Sequence, residues 1–189
     1  MKWNSIVVVT ALAMIATSAS ALPVIDMSLS AGLNHSRLDA STNYPSTSHS
    51  GTKPRVTFNA SVGPLIGVEL GWSKLATNTT AVTVVPPGGA GGGGSFEDEL
   101  RESGSAFWLV YAPSIEFGPI ELTGKLGAAR VTREVVIAGF GIDIADGENE
   151  ALVGLAGTYW FTSLIGVRVD AERIGSDASQ LGLSLTIGF

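Results

Sequence analysis

Apolar residues alternate with small or polar residues in eight segments of the chain, and the last nine residues show the pattern most clearly. Every second position of residues 181–189 is a large apolar residue, and the positions between them are glycine, serine or threonine. A period of two gives a β-strand one apolar face and one polar face. The same alternation occurs in residues 25–33, 55–62, 66–73, 105–117, 120–128, 151–161 and 165–172.

The connections between these segments alternate in length. Residues 63–65, 117–119 and 162–164 are short turns, whereas residues 38–54, 76–104 and 131–149 are long. We predict that 76–104 is irregular and that 131–149 extends a hairpin, because two further spanning strands would need about 9–11 residues each. An open sheet edge is costly in lipid. The pattern therefore predicts an all-β fold, an eight-stranded antiparallel up-and-down transmembrane β-barrel with short periplasmic turns and long extracellular loops.

The N-terminal residues predict export. Lys2 precedes an apolar stretch from Ile6 to Ile15, and residues 19–21 are Ala-Ser-Ala. A positively charged N-terminal region, a short apolar segment and a cleavage site made of small residues are typical of a cleaved signal peptide. We therefore predict that residues 1–21 are removed and that residues 22–189 form a barrel in the bacterial outer membrane.

Composition narrows the possible partners and cofactors. The chain has 11 Lys+Arg and 17 Asp+Glu, so loss of Lys2 changes the net charge from −6 to −7. An acidic chain is a poor binder of nucleic acid. The absence of cysteine excludes disulfides and thiolate metal sites. No metal-ligand spacing is visible either, and we predict no cofactor.

Taken together, these features resemble the small outer-membrane β-barrel proteins of the OmpA/OmpX kind. In that family the last strand serves as an assembly signal. Ile187 and Phe189 match its apolar and aromatic positions. Gly182 stands where the family usually has a polar residue, and Ser184 stands where the family usually has glycine. The resemblance implies transit with periplasmic chaperones and insertion by the barrel-assembly machinery. We expect a monomer in outer-membrane lipid and lipopolysaccharide, with no peptidoglycan-binding domain after Phe189.

The inward faces of the predicted strands carry charges. Lys125 and Arg168 are the only cations that we place inside, and Arg55 is assigned to the loop end of its strand. An eight-stranded barrel is just wide enough to be filled by side chains, and unpaired buried charges are costly. The pattern predicts an ionic network in the lumen, with a narrow cation-preferring pore as the alternative. Its predicted members are Glu69, Glu116, Glu121, Lys125, Arg168, Asp170 and Glu172.

The alternation places four basic residues on the lipid-facing side of their strands, near the ends that lead into the long loops. One hypothesis is a girdle that pairs with the phosphates of lipopolysaccharide, for which guanidinium geometry is well suited. Ordinary snorkelling at a membrane interface explains the pattern equally well. The four residues are Arg37, Lys74, Arg130 and Arg173.

Only two histidines could support hydrolytic catalysis. His35-Ser36 lies at the end of the first strand and His49-Ser50 lies in the first long connection. Neither forms the His-x-Ser pattern of lipid-A deacylase barrels, so modification of lipid A is the weakest alternative. We predict a non-enzymatic outer-membrane protein with a structural or adhesion-like role through its extracellular loops.

Overall fold

A computed structural model of the protein describes residues 25–38, 49–84, 96–137, 142–176 and 178–189. The predicted signal peptide and the glycine-rich residues 86–95 lie outside these ranges. No helix in the described part has the length and apolarity needed to cross a membrane. The strands are β1 (Asp26–Leu38), β2 (His49–Val62), β3 (Ile66–Lys74), β4 (Asn78–Val84), β5 (Phe96–Tyr111), β6 (Ser114–Phe117), β7 (Ile120–Ile137), β8 (Ile142–Trp160), β9 (Ile165–Ile174) and β10 (Ala178–Gly188).

The strands close into an eight-stranded antiparallel barrel. Its order is β1, β2, β3, β5, β7, β8, β9, β10, and the pairing of β10 with β1 completes the circle. β6 prolongs β5 on the same side of β7, after a break at Pro113, which has no N–H to donate. β4 pairs only with the first half of β5. The predicted fold is confirmed.

The closing seam between β1 and β10 is continuous and tightly packed. Its register runs from Ser28 opposite Gly188 to Leu38 opposite Ala178. A Cβ on Gly32 would lie 2.0 Å from the Leu183 carbonyl oxygen, so the seam leaves no room for a side chain there. The prediction that the last strand pairs with the first is confirmed.

The outer surface of the barrel is an apolar band. Large apolar side chains are exposed on every barrel strand, and exposure on this scale is typical of a surface that faces lipid or a partner. One such residue per strand, in barrel order, is Leu33, Val56, Leu70, Leu109, Leu126, Leu155, Val169 and Leu183. Exposed aromatic residues cluster at the end of the barrel where the short turns join the strands, and there Tyr159 and Phe161 pack edge to face with ring centres 5.2 Å apart.

Tight turns join the strands at one end of the barrel, which we call the turn end. Gly63 and Gly118 adopt φ values of 64° and 61°, a left-handed conformation that glycine reaches without a steric penalty. At the third turn the Thr162 hydroxyl accepts hydrogen bonds from the backbone N–H groups of Leu164 and Ile165. The other end of the barrel is called the loop end.

Four strands continue past the barrel at the loop end. This hairpin extension comprises residues 78–84, 96–104, 131–137 and 142–149, and its pairings reach Leu100 opposite Ile137 and Ile137 opposite Ile142. The predicted hairpin extension at 131–149 is confirmed. The prediction of an irregular segment at 76–104 is wrong for β4 and the start of β5, which pair with each other beyond the eight-stranded barrel, where a strand needs no apolar outer face.

Candidate functional site

Six charged side chains meet inside the barrel. Three are cationic and three anionic, so the group is formally neutral, and each residue is at most 5% exposed. They come from four strands, β2, β3, β7 and β9. We call this group the ion cluster; it consists of Arg55, Glu69, Lys125, Arg168, Asp170 and Glu172.

Lys125 lies at the centre of the ion cluster. Its Nζ is 2.9 Å from Glu69 Oε1, and 2.5 Å from both Asp170 Oδ1 and Glu172 Oε1. Three carboxylates with this spacing could hold a metal ion. The ammonium group already takes the position that such an ion would need. The three carboxylates are therefore held together by the Lys125 ammonium group rather than by a bound ion.

The two arginines complete the pairing. Arg55 donates from both terminal nitrogens to Glu172, each at 2.7 Å, and its Nη2 is 3.2 Å from Asp170 Oδ1. Arg168 donates from Nε to Asp170 Oδ1 at 3.0 Å and from Nη2 to Glu69 Oε2. Bidentate, charge-assisted bonds are among the strongest that side chains make, and they fix orientation. Every carboxylate of the ion cluster thus contacts at least two cations.

Trp108 joins the ion cluster to the apolar part of the lumen. Its ring is fully buried, its Nε1 donates to Glu69 Oε1 at 3.0 Å, and the Arg55 guanidinium lies 4.9 Å from the ring centre. A Cβ on the neighbouring Gly71 would be 2.1 Å from the indole. The ring therefore packs closely against β3 at Gly71.

An apolar layer covers the ion cluster on its loop-end side. It lies at the ends of β3, β9 and β10 and in the adjoining parts of β7 and β8, and its side chains are at most 5% exposed. Apolar side chains lower the local dielectric constant, which strengthens the ion pairs beside them. Its members are Leu75, Ala76, Val131, Leu152, Ile174 and Ala178.

Sequence reasoning placed three charged residues wrongly. Glu116 and Glu121 lie at the turn end, outside the ion cluster, where Glu116 is exposed and Glu121 Oε2 accepts a hydrogen bond from Trp160 Nε1 at 3.0 Å. Arg55, assigned to the loop end, is 1% exposed and lies inside the ion cluster. The alternation could have placed Arg55 correctly. It alternates with the outward residues Val56 and Phe58, so its side chain belongs to the inner face of the sheet.

The four predicted lipid-facing cations are all exposed, and they form two pairs. Arg37 and Arg173 both lie opposite Ser179 of β10. Lys74 and Arg130 flank β5 on its two sides, opposite Ser105 and Phe107. Beside the first pair is an open groove of about 750 Å³ on the outer face of the barrel, lined by apolar side chains that include Val153, Leu155 and Leu181. Contact of these cations with lipopolysaccharide stays a prediction.

The two predicted assembly-signal residues and His35 all lie on the outer face of the barrel. Ile187 and Phe189 are exposed on the outer face, and the Phe189 N–H donates to the Met27 carbonyl at 2.9 Å. His35 points outward, with Nδ1 3.3 Å from the Thr52 hydroxyl, whereas the adjacent Ser36 is buried and accepts from the Ala76 N–H. His35 and Ser36 thus lie on opposite faces of the sheet and cannot act as base and nucleophile.

Comparison with known proteins gives matches in structure alone. No family model and no curated protein sequence matches the chain. Ail, the attachment invasion locus protein of Yersinia pestis, in complex with the heparin analogue sucrose octasulfate, superposes with a TM-score of 0.60 and 12% identity, over 87% of this chain and 99% of Ail. OprG, an outer membrane protein of Pseudomonas aeruginosa, gives 0.57 and 14%, over 87% and 95%. The N-terminal β-barrel domain of OprF from the same species gives 0.51 and 11%, over 87% and 97%.

These similarities agree with the closed circle of antiparallel strands and with the apolar outer band. Identities this low establish the fold alone. The chain has the fold of the small eight-stranded β-barrels of the bacterial outer membrane.

Proposed function

We propose that this protein is an integral outer-membrane protein whose lumen is closed and which acts through the hairpin extension. The observation that carries the proposal is the neutral ion cluster covered by the apolar layer. An ion moving along the lumen would have to break several buried ion pairs and then pass the apolar layer. Both steps are costly, and together they favour a plug over a pore.

Planar-bilayer recording distinguishes the plug from the alternative, a narrow cation-preferring pore. We expect the refolded protein to insert without conductance steps in 1 M KCl, because the buried ion pairs and the apolar side chains obstruct the lumen. A porin inserted under the same conditions is the positive control. Reproducible cation-selective steps from the protein would establish the pore and contradict the plug.

The hairpin extension is the part of the described chain best placed to meet a partner. It projects beyond the barrel on four strands, and scaffold-mounted segments of this kind commonly carry binding. The fold shared with Ail, whose name describes attachment, makes attachment the role to test here. Among the side chains of the extension whose exposure the structure describes, exposed acidic ones outnumber basic ones, with Glu134, Asp146 and Glu148 against Arg101. Charge therefore argues against a sulfated polysaccharide as the partner.

Shortening the extension tests this role. Residues 134–145 can be replaced by Asn-Gly between Arg133 and Asp146, which are opposite one another in the β7–β8 register. We expect bacteria that display the full protein to attach to an epithelial monolayer well above vector level. Bacteria that display the shortened variant should attach at or near vector level if the outer part of the β7–β8 hairpin carries the contact, because that part has been removed while β4 and the start of β5 remain.

The Arg37→Gln/Arg173→Gln variant is the matched control. It changes the outward cation pair beside the groove and leaves the extension intact. We propose that this pair binds lipopolysaccharide phosphate, so the variant should copurify with less lipopolysaccharide yet attach normally. Normal attachment by the shortened variant would refute a role for the outer part of the β7–β8 hairpin. Unchanged lipopolysaccharide content in the arginine variant would refute the lipid contact.

A further inference from the structure

The groove on the outer face of the barrel has a defined floor and defined walls. In the register of β8, β9 and β10, Ala171 lies between Leu155 and Leu181. The two leucines are 69% and 57% exposed, so large side chains flank a position that carries only a methyl group. The groove therefore follows from the sequence, because a small residue takes a lipid-facing position that is usually large and apolar.

The groove ends at a pair of arginines. Ser179 is the next outward residue of β10 towards the loop end, and it lies opposite Arg37 on one side and Arg173 on the other. The Cα atoms of the two arginines are therefore two strand spacings apart, about 10 Å. Arg173 donates from Nε and Nη2 to the carbonyl oxygens of Gly175 and Ser176, at 3.2 and 3.3 Å. A guanidinium has five N–H donors, so these bonds orient the group at the loop end without exhausting it.

Two cations at one end of an apolar groove are complementary to an amphiphile with an anionic headgroup. A phosphate above Ser179 could accept hydrogen bonds from both guanidinium groups, whose planar geometry suits it. From there the groove runs towards the middle of the barrel wall, which is the direction of an acyl chain that enters the bilayer from its headgroup. Surrounding lipid is as apolar as the groove, so a chain in the groove gains packing rather than hydrophobic free energy. The arginines therefore supply most of the affinity, and the groove adds selectivity for a lipid.

We propose that the groove binds one molecule of lipid A, with a phosphate between Arg37 and Arg173 and an acyl chain over Ala171. The proposal rests on the lipopolysaccharide contact proposed above for the arginine pair and adds a defined binding site for the lipid. Long connections of outer-membrane barrels face outward, so the loop end meets the leaflet that contains lipid A rather than the phospholipid leaflet.

The second cation pair provides a contrast on the same surface. Lys74 and Arg130 lie at the loop end of β3 and β7, and the outward residues next to them are Trp72 and Phe107. Both aromatic side chains are large and exposed, whereas Ala171 and Ser179 are the residues at the corresponding place in the groove. The second pair therefore has the charge of the first without its small-residue floor.

Native mass spectrometry tests the site by counting bound lipid. The full protein, refolded in phosphatidylcholine nanodiscs, is titrated with purified lipid A, and the half-saturating concentration of the first bound molecule is measured. We expect Arg37→Gln/Arg173→Gln to raise this concentration at least tenfold. Ala171→Leu fills the floor of the groove, keeps both arginines and should raise it at least threefold. The same change at Ala31, an exposed residue of β1 outside the groove, is the matched control and should leave it unchanged.

A second set of controls separates the groove from simple charge attraction. Lys74→Gln/Arg130→Gln removes the same charge from the loop end and should change the half-saturating concentration less than twofold. An equal loss from both cation pairs would show non-specific attraction and overturn the proposal. Phosphatidylglycerol, which has one phosphate, should bind at least tenfold more weakly than lipid A. Equal binding of the two lipids would show a site for any anionic lipid and would also overturn it.

The groove and the arginine contact fail in different ways. An unchanged half-saturating concentration in Ala171→Leu, together with a loss in the arginine variant, would overturn the groove and leave the proposed lipopolysaccharide contact in place. An unchanged value in both variants would refute the groove and the contact together.

Discussion

Replacement of Lys125 by methionine should lower the free energy of unfolding by about 3–5 kcal/mol, the cost of removing one partner from a buried ion pair. Methionine has a similar length but no charge. The change leaves Glu69, Asp170 and Glu172 without the ammonium that contacts all three. The buried group then carries a net charge of −1 in a part of the lumen covered by apolar side chains. Urea titration of the protein refolded in lipid vesicles measures the loss.

Restoring neutrality provides the matched control. Glu172→Gln removes one negative charge, and the glutamine oxygen can still accept a hydrogen bond from Arg55. We expect Lys125→Met/Glu172→Gln to recover most of the stability lost in Lys125→Met, because charge balance rather than any single contact holds the ion cluster together. If the double variant were less stable than both single variants, charge balance would not be the cause.

Alternation predicted the barrel because lipid imposes it. Each strand that crosses the bilayer needs an apolar outer face, so apolar residues recur at every second position of each spanning segment. The same cause explains why two strand segments outside the lipid-facing part of the barrel were not predicted. Residues 49–54 and 96–104 are strands in the structure, yet water or protein can cover both their faces, and their sequence therefore carries no alternation.

Parity predicted the side of the sheet but not the depth in the barrel. Glu69, Lys125 and Asp170 have inward parity and do meet in the ion cluster. Glu116 and Glu121 share that parity but lie next to the turn at Gly118, so they reach only the mouth of the lumen. Depth depends on strand tilt and register, which alternation does not encode.

Arg55 and Trp108 were missed for related reasons. Arg55 stands at the first position of its alternating segment, and the strand was taken to begin there, whereas β2 starts at His49. Trp108 was absent from the predicted network because that network was built from charges alone. Trp108 alternates with the outward residues Phe107 and Leu109, which was sufficient to place its indole inside the barrel, although its contact with Glu69 could not be predicted from the alternation.

Alanine at Gly71 should be among the most destabilising small changes in the lumen. A Cβ at this position would lie 2.1 Å from two atoms of the Trp108 ring. The indole cannot move aside without losing its bond to Glu69 and its contact with the Arg55 guanidinium. Overpacking of a core typically costs about 1–3 kcal/mol, and we expect the upper end of this range because Glu69 and Arg55 both contact the ring.

Gly157→Ala is the control for Gly71→Ala, because both add one methyl group to a barrel strand. A Cβ on Gly157 would have its nearest neighbour, Leu122 Cδ2, at 3.6 Å, which is an ordinary contact. Urea titration should therefore show a clear loss of stability for Gly71→Ala and little change for Gly157→Ala. Equal midpoints for the two variants would mean that the indole can relax freely. In that case Trp108 would not be a fixed part of the plug, and the lumen would be held closed by the ion cluster and the apolar layer alone.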